Sequence, residues 1–190
     1  MTSDMVERKK PTWRDVKTVI GEWPSDQLVG LVQDLYRLNA SNADFLRARL
    51  LASDIGDHSL APYEERIRKA ISPREPWKQN VQLREGRKAI NDYKKASGDT
   101  HNLLRLMVYY VQCGNDFTLE FGDIDEGFYD SLCSMVEAIK DRLLAEDDSE
   151  LAKEFLPLLV QEVERIDGEM GWGYPDEVSD HITDLREHFG

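Results

Sequence analysis

The chain has 190 residues, of which 41% are hydrophobic and 32% are charged, and its formal net charge is −13. A chain of this length can bury one or two linked apolar cores. The negative total charge repels phosphate at long range, which disfavours nucleic acid as a partner.

Three features of the sequence predict the cellular compartment. The first ten residues have no apolar core of the kind that a signal peptide needs. The longest apolar run, Leu106 to Val111, is far shorter than the ~20 residues of a membrane span. Cys113 and Cys133 lack the spacing of a metal site and are expected to be buried free thiols. We therefore expect a cytoplasmic protein without a membrane partner.

The N-terminal part of the chain predicts a polar arm followed by short amphipathic helices. Residues 1–11 are polar and charged, and are expected to be flexible. Thr12 and Asp15 form a capping-box pattern that predicts a helix start, and Gly21 and Pro24 end that helix. In the next helix, apolar residues recur at steps of three and four. They are Leu28, Leu31, Val32, Leu35 and Leu38.

A linker at residues 72–77, which contains two prolines, is the best candidate for a sub-domain boundary. It predicts an N-terminal helical sub-domain at 12–72 and a main helical sub-domain at 78–190. Beyond it, a basic helix is predicted at about 80–96, followed by an apolar helix that Gly114 should end. Residues 115–124 are then expected to form a loop or an extended stretch.

The remaining C-terminal sequence predicts three more helices. Asp125 starts a long one, and Pro157 predicts either a kink or a helix start in the second. Pro175 starts the last helix. Since no convincing strand is present, the predicted fold is all-α, with about eight to nine helices in a bundle or a short α-solenoid-like stack.

Charge is distributed unevenly along this predicted array of helices. Residues 61–95 carry a net charge of +5 and residues 114–190 a net charge of −17. Arg84, Arg87 and Lys88 can share one face of the basic helix and could contact an anion. A solvated face, or packing near the acidic helices, is the commoner role for such residues.

The acidic loop around Asp123, Asp125 and Glu126, and the glycine-rich loop 171–177, are the other candidate sites. Clustered carboxylates can bind a hard cation, although the full EF-hand pattern is absent. The same carboxylates, and Asp176, also lie at helix starts, where they can cap the helix. Trp172, between two glycines, could anchor the core or line a pocket. No metal site and no cofactor is predicted, because phosphate-loop, dinucleotide, zinc-protease and nucleophile-elbow motifs are absent.

Several stretches resemble a known family. These are RKAINDYKKASGD (87–99), LMVYYVQCGNDFT (106–118), FGDIDEGFYDSLCSM (121–135), GWGYPDEV (171–178) and QLVGLVQDLYRLN (27–39). The pattern is similar to that of small, mostly bacterial helical proteins defined as a domain of unknown function. The resemblance implies an all-helical fold and no particular activity, so it transfers no catalytic residue to this chain.

Three hypotheses for the function follow from these features. The favoured one is a helical protein-interaction or scaffold module whose partner is another protein or a second copy. The second is an enzyme or ligand-binding site built from the carboxylates of the two loops. The third is an anion or nucleic-acid contact through the basic helix. The sequence leaves open whether the protein is an enzyme.

Overall fold

The computed structural model describes residues 10–51, 56–76 and 78–190, and within these ranges it contains nine α-helices and no β-strand. The helices are α1 (Trp13–Ile20), α2 (Ser25–Leu38), α3 (Ala40–Leu50), α4 (Ala61–Ile71), α5 (Leu83–Ala96), α6 (Thr100–Phe121), α7 (Glu126–Glu146), α8 (Ser149–Ile166) and α9 (Tyr174–Phe189), with a short 3-10 helix at Gly56–Ser59. The predicted all-α fold class is confirmed. Of the arm predicted to be flexible, residues 1–9 lie outside the described residues.

The described chain forms two compact units, one ending at Ala43 and the other running Asp44–Gly190. The predicted sub-domains at 12–72 and 78–190 stay a prediction. Among the described residues, no helix combines the length and the apolar composition needed to cross a bilayer.

Helices α1 and α2 belong to the first unit, and neither contains a buried residue. The start of α1 has the predicted capping arrangement, in which the backbone N–H of Thr12 donates to the Asp15 carboxylate at 2.7 Å. This bond lowers the pKa of Asp15. The apolar residues of these helices are therefore arranged on helical faces without forming a core.

Helix α6 is the central element of the second unit. Helices α4, α5, α7 and α8 pack against it, and α9 packs on α7 and α8. Twelve of its 22 residues are buried, which explains why its sequence is apolar nearly all round. Both cysteines are buried free thiols, as predicted. Burial raises the pKa of each thiol to about 12, so neither is a nucleophile at neutral pH.

The predicted end of α6 at Gly114 is wrong, because the helix continues to Phe121. A Cβ atom at position 114 would lie 2.5 Å from Cδ2 of Leu132. Gly114 therefore permits close packing of α7 on α6 rather than ending α6. The helix ends at Gly122, whose φ of 88° is favourable for glycine.

Helix α8 starts before Pro157, so the alternative prediction of a helix that begins at this proline is wrong. It runs without interruption over Ser149–Ile166, with Pro157 inside it. No helix starts at Pro157. Its N-terminus is instead set by Asp148, whose carboxylate accepts hydrogen bonds from the backbone N–H groups of Glu150 and Leu151.

Candidate functional site

The acidic loop before α7 and the glycine-rich loop before α9 meet at Asp123. One oxygen of its carboxylate accepts hydrogen bonds from the Tyr129 hydroxyl at 2.5 Å and from the backbone N–H of Gly171 at 3.3 Å. A Cβ atom at position 171 would lie 3.2 Å from the other oxygen. Glycine at this position therefore allows the two loops to approach closely.

The other predicted carboxylates of these loops do not join Asp123 around a common point. Asp125 caps α7, since its side chain accepts a hydrogen bond from the N–H of Phe128 at 2.9 Å. Glu126 and Asp176 lie exposed in the first turns of α7 and α9. No group of three or more His, Cys, Asp or Glu side chains suited to a metal ion occurs among the described residues. The described carboxylates thus cap helices and join loops.

Trp172, next to Gly171, is exposed rather than anchored in the core. Its side chain is 61% exposed, and its φ of 60° lies in the left-handed region that bulky residues rarely adopt. Gly173, at φ 70°, continues this tight turn into α9. The indole ring therefore lies at the surface, next to the glycine that contacts Asp123.

A buried polar network below these loops was not predicted from the sequence. The Tyr174 hydroxyl donates to Oδ1 of Asn115 at 2.8 Å, and Nδ2 of Asn115 donates to Oε2 of Glu162 at 2.9 Å. Oε1 of Glu162 accepts from Arg165 at 2.8 Å, and Arg165 also pairs with Asp116. The network ties α6, α8 and α9 together.

The phenols near this network are proton donors at neutral pH. Burial and the hydrogen bond to Asp123 raise the pKa of Tyr129 to about 12. Burial also raises the pKa of Tyr174 well above its ordinary value. Since Asn115 and both oxygens of Glu162 already have partners, this arrangement fixes the packing of three helices and presents no free general base.

The spacing of the apolar residues in α8 indicates that Glu162 belongs to the buried face of this helix. Phe155, Leu159 and Ile166 define its inward stripe, and Glu162 lies on the same stripe. A carboxylate in that position has to find a buried partner. The sequence does not indicate which residue of another helix supplies that partner, so the network could be expected in outline only.

The three basic residues predicted to contact an anion do not act as one face. Arg84 and Lys88 are exposed, and Lys88 lies 3.9 Å from Glu85. Arg87 instead crosses from α5 to α7. It donates from Nε to the Ser131 hydroxyl at 3.1 Å and from Nη2 to the Ser131 carbonyl at 2.6 Å, and it also contacts Ser134.

Arg87 borders a cavity of about 200 Å³ between α5 and α7, with α6 behind it. Its lining is Arg87, Ile90, Asn91 and Lys94 from α5, Leu103 and Met107 from α6, and Met135, Ala138 and Arg142 from α7. The α5 residues lie three or four positions from one another, as on one helix face: 87 with 90 and 91, and 94 with 90 and 91. The sequence separates these three helix faces widely, so their convergence was not predictable from it. We call this space the basic cavity.

A second candidate site is the apolar surface of the first unit. Of the fifteen large hydrophobic residues that are exposed in the described chain, nine lie between positions 13 and 38. Within α2, four leucines follow the 3-4-3 spacing of heptad positions a and d. They are Leu28, Leu31, Leu35 and Leu38, which we call the leucine seam. Leu38 is 70% exposed and Leu35 is 43% exposed, whereas Leu28 and Leu31 are half-buried.

Helix α1 repeats this pattern on a smaller scale. Trp13, Val16 and Ile20 follow the same 3-4 spacing, and Trp23 continues it beyond the helix end. Trp13 is 68% exposed. The first unit thus presents successive apolar stripes of the kind that pack against other helices.

Comparison of the chain with family models, with curated proteins and with solved structures gives no match. The resemblance to an uncharacterised helical family therefore stays a prediction.

Proposed function

We propose that the protein is a helical interaction module that self-associates through the leucine seam of α2, with the apolar stripe of α1 extending the contact. The observation that carries this proposal is that neither α1 nor α2 buries any residue, although both have a regular apolar face. An amphipathic helix gains stability mainly by burying such a face against another element.

The spacing of the leucines favours a helix as the occupant of this surface. Side chains at heptad positions a and d insert between four residues of a facing helix. A seam of two heptads is short for a coiled coil by itself. The stripe of α1 adds the further contacts that a bundle of helices from two copies would need.

Charge favours a second copy over a strongly charged partner. Residues 10–43 contain four cations, Lys10, Arg14, Lys17 and Arg37, and four anions, Asp15, Glu22, Asp26 and Asp34. This segment is neutral in a chain whose net charge is −13. It is therefore a part that two copies can bring together without strong local repulsion.

The amount of exposed apolar surface also suits a dimer. A stable interface buries about 800 Å² on each partner, and a fully buried aromatic side chain supplies roughly 150–250 Å². The first unit exposes 68% of Trp13, 37% of Trp23 and 38% of Tyr36 besides its aliphatic residues, so these rings supply part of that area. A two-fold arrangement uses the same patch on both chains.

Sedimentation equilibrium of the full chain tests the proposal. We expect a reversible dimer of the 21.9 kDa chain, and we expect Leu35→Glu to make it monomeric because a carboxylate replaces an apolar side chain in the seam. Gln33→Glu is the matched control, since it adds the same charge on the opposite face of α2. A monomeric wild-type chain, or equal loss of dimer in both variants, would contradict the proposal.

The carboxylate-based alternative has less support. Asp125 caps a helix, while Glu126 and Asp176 lie exposed in separate helix starts. Asp123 accepts two hydrogen bonds from the protein. This arrangement is explained by loop packing and helix capping.

A further inference from the structure

We infer that the basic cavity binds a small organic anion with a short apolar body, such as a short-chain carboxylate. This inference is independent of the proposed self-association, because every residue that lines the cavity belongs to the unit Asp44–Gly190. It rests on the shape, charge and pre-ordering of the cavity.

The cavity exists because α5 and α7 both pack on α6 and leave a gap between them. Its volume of about 200 Å³ corresponds to roughly seven water-sized groups at about 30 Å³ each. That is enough room for a carboxylate and a short hydrocarbon chain. It is small compared with the pockets of about 300–1,000 Å³ that accept drug-sized ligands.

The charge of the lining selects an anion. Three of the nine described lining residues are cations, Arg87, Lys94 and Arg142, and none is acidic. Arg142 lies 3.7 Å from the carboxylate of Glu146 on its own helix. Arg87 and Lys94 come from the segment 61–95, whose net charge is +5 in a chain of net charge −13. Since Glu146 offsets part of the charge of Arg142, Arg87 and Lys94 supply most of the positive charge of the described lining.

Arg87 is already held in place before any ligand arrives. Its Nε and Nη2 donate to Ser131, and its guanidinium lies over the Tyr110 ring at 5.8 Å from the ring centre. The Tyr110 hydroxyl and the Ser131 hydroxyl are 2.8 Å apart. Nη1 makes none of these bonds. An anion that contacts Arg87 would therefore meet a guanidinium whose position is already fixed, which reduces the entropic cost of binding.

The apolar lining selects the rest of the ligand. Ile90, Leu103, Met107 and Met135 line the cavity, and each keeps only 4–6% of its surface exposed. Methionine side chains adapt readily to the shape of a ligand. Inorganic phosphate would satisfy the cations and leave this apolar surface unused. A carboxylate with a short alkyl chain would use both parts.

Methyl NMR of the full chain, with hexanoate as the probe, tests the inference. The chain has five methionines, and the methyl groups of Met107 and Met135 report on the cavity while Met170 lies outside its lining. We expect saturable shifts of Met107 and Met135, with Kd on the order of 1 mM for an eight-atom ligand. Met170 should stay unshifted. The neutral analogue 1-hexanol should bind at least about fivefold more weakly.

Two variants assign the binding to the cavity. Lys94→Gln should weaken hexanoate binding about twofold to fivefold, whereas Lys88→Gln, which is also exposed on the same helix but lies outside the described lining, should leave it unchanged. Ala138→Leu should fill the cavity and abolish the shifts. If Ala138→Leu does not fold, as judged by circular dichroism, the comparison of Lys94 with Lys88 still decides.

Three results would overturn the inference. They are unsaturable or absent shifts at Met107 and Met135, equal effects of the Lys94 and Lys88 substitutions, and tighter binding of inorganic phosphate or 1-hexanol than of hexanoate. Tighter binding of phosphate would show that the ligand needs no apolar body, and tighter binding of 1-hexanol would show that it needs no charge.

Discussion

Gly114 shows how a single residue can set the distance between two helices. It lies in the middle of α6, where glycine costs helix stability relative to alanine. That cost is accepted because the side chain of Leu132 on α7 occupies the space that a Cβ atom would need. The sequence alone favours the opposite interpretation, a helix end, because glycine is common there.

Gly114→Ala should lower the free energy of unfolding by about 1–3 kcal/mol, since Leu132 has to move out of a packed core. Gly30→Ala is the matched control, because nothing lies within 4 Å of a Cβ atom built there and the position is inside α2. That control should not destabilise the protein and should favour α2 by up to about 1 kcal/mol. Urea unfolding followed by circular dichroism measures both changes. A harmless Gly114→Ala substitution would contradict the close packing of α6 and α7.

At the scale of elements, the buried network of Asn115, Glu162 and Tyr174 specifies how three helices fit together. Apolar stripes can pair in several registers, whereas a buried carboxylate is satisfied in few of them. It also joins the start of α9 to α6 through Tyr174 and Asn115, whereas the rest of α9 packs on α7 and α8.

Glu162→Ala should cost about 2–3 kcal/mol of unfolding free energy, because Asn115 loses a partner in the core and Arg165 loses one at its edge. Glu164→Ala is the control on the same helix, where the side chain is exposed, and it should change stability by less than about 0.5 kcal/mol. Chemical denaturation of both variants makes the comparison. Equal stabilities would show that the network adds nothing to the fold.

The elements also show how far the sequence could predict the structure. Helices could be predicted where the sequence has a periodic apolar stripe, as in α2 and α7. Helix starts could be predicted from the capping residues Thr12 and Asp125. Local patterns gave a wrong prediction where a contact with a residue distant in the sequence determines the structure, as the contact with Leu132 does at Gly114. The basic cavity depends on the convergence of three helices, and no local spacing determines that. Among its nine described lining residues, Arg87 alone was predicted to contact an anion.

At the scale of the whole molecule, net charge should make the two proposed interactions respond to salt in opposite ways. Two chains of charge −13 repel each other, and salt screens that repulsion. The attraction between the cavity and an organic anion is screened by the same ions.

Raising the ionic strength from about 20 mM to about 200 mM shortens the Debye length from roughly 20 Å to roughly 7 Å. We expect dimerisation to become stronger and hexanoate binding to become weaker over this range. Sedimentation equilibrium measures the first response and methyl NMR the second. Dimers that dissociate with salt would show that opposite charges, rather than the apolar seam, hold the two copies together.

The central claim is that the leucine seam of α2 is the contact between two copies. The most direct test is NMR of a mixture of methyl-labelled and unlabelled chains, in which only contacts between copies are detected. We expect the methyl groups of Leu31 and Leu35 in one copy to show contacts with the other copy. The absence of such contacts, or contacts confined to the helices of the second unit, would contradict it.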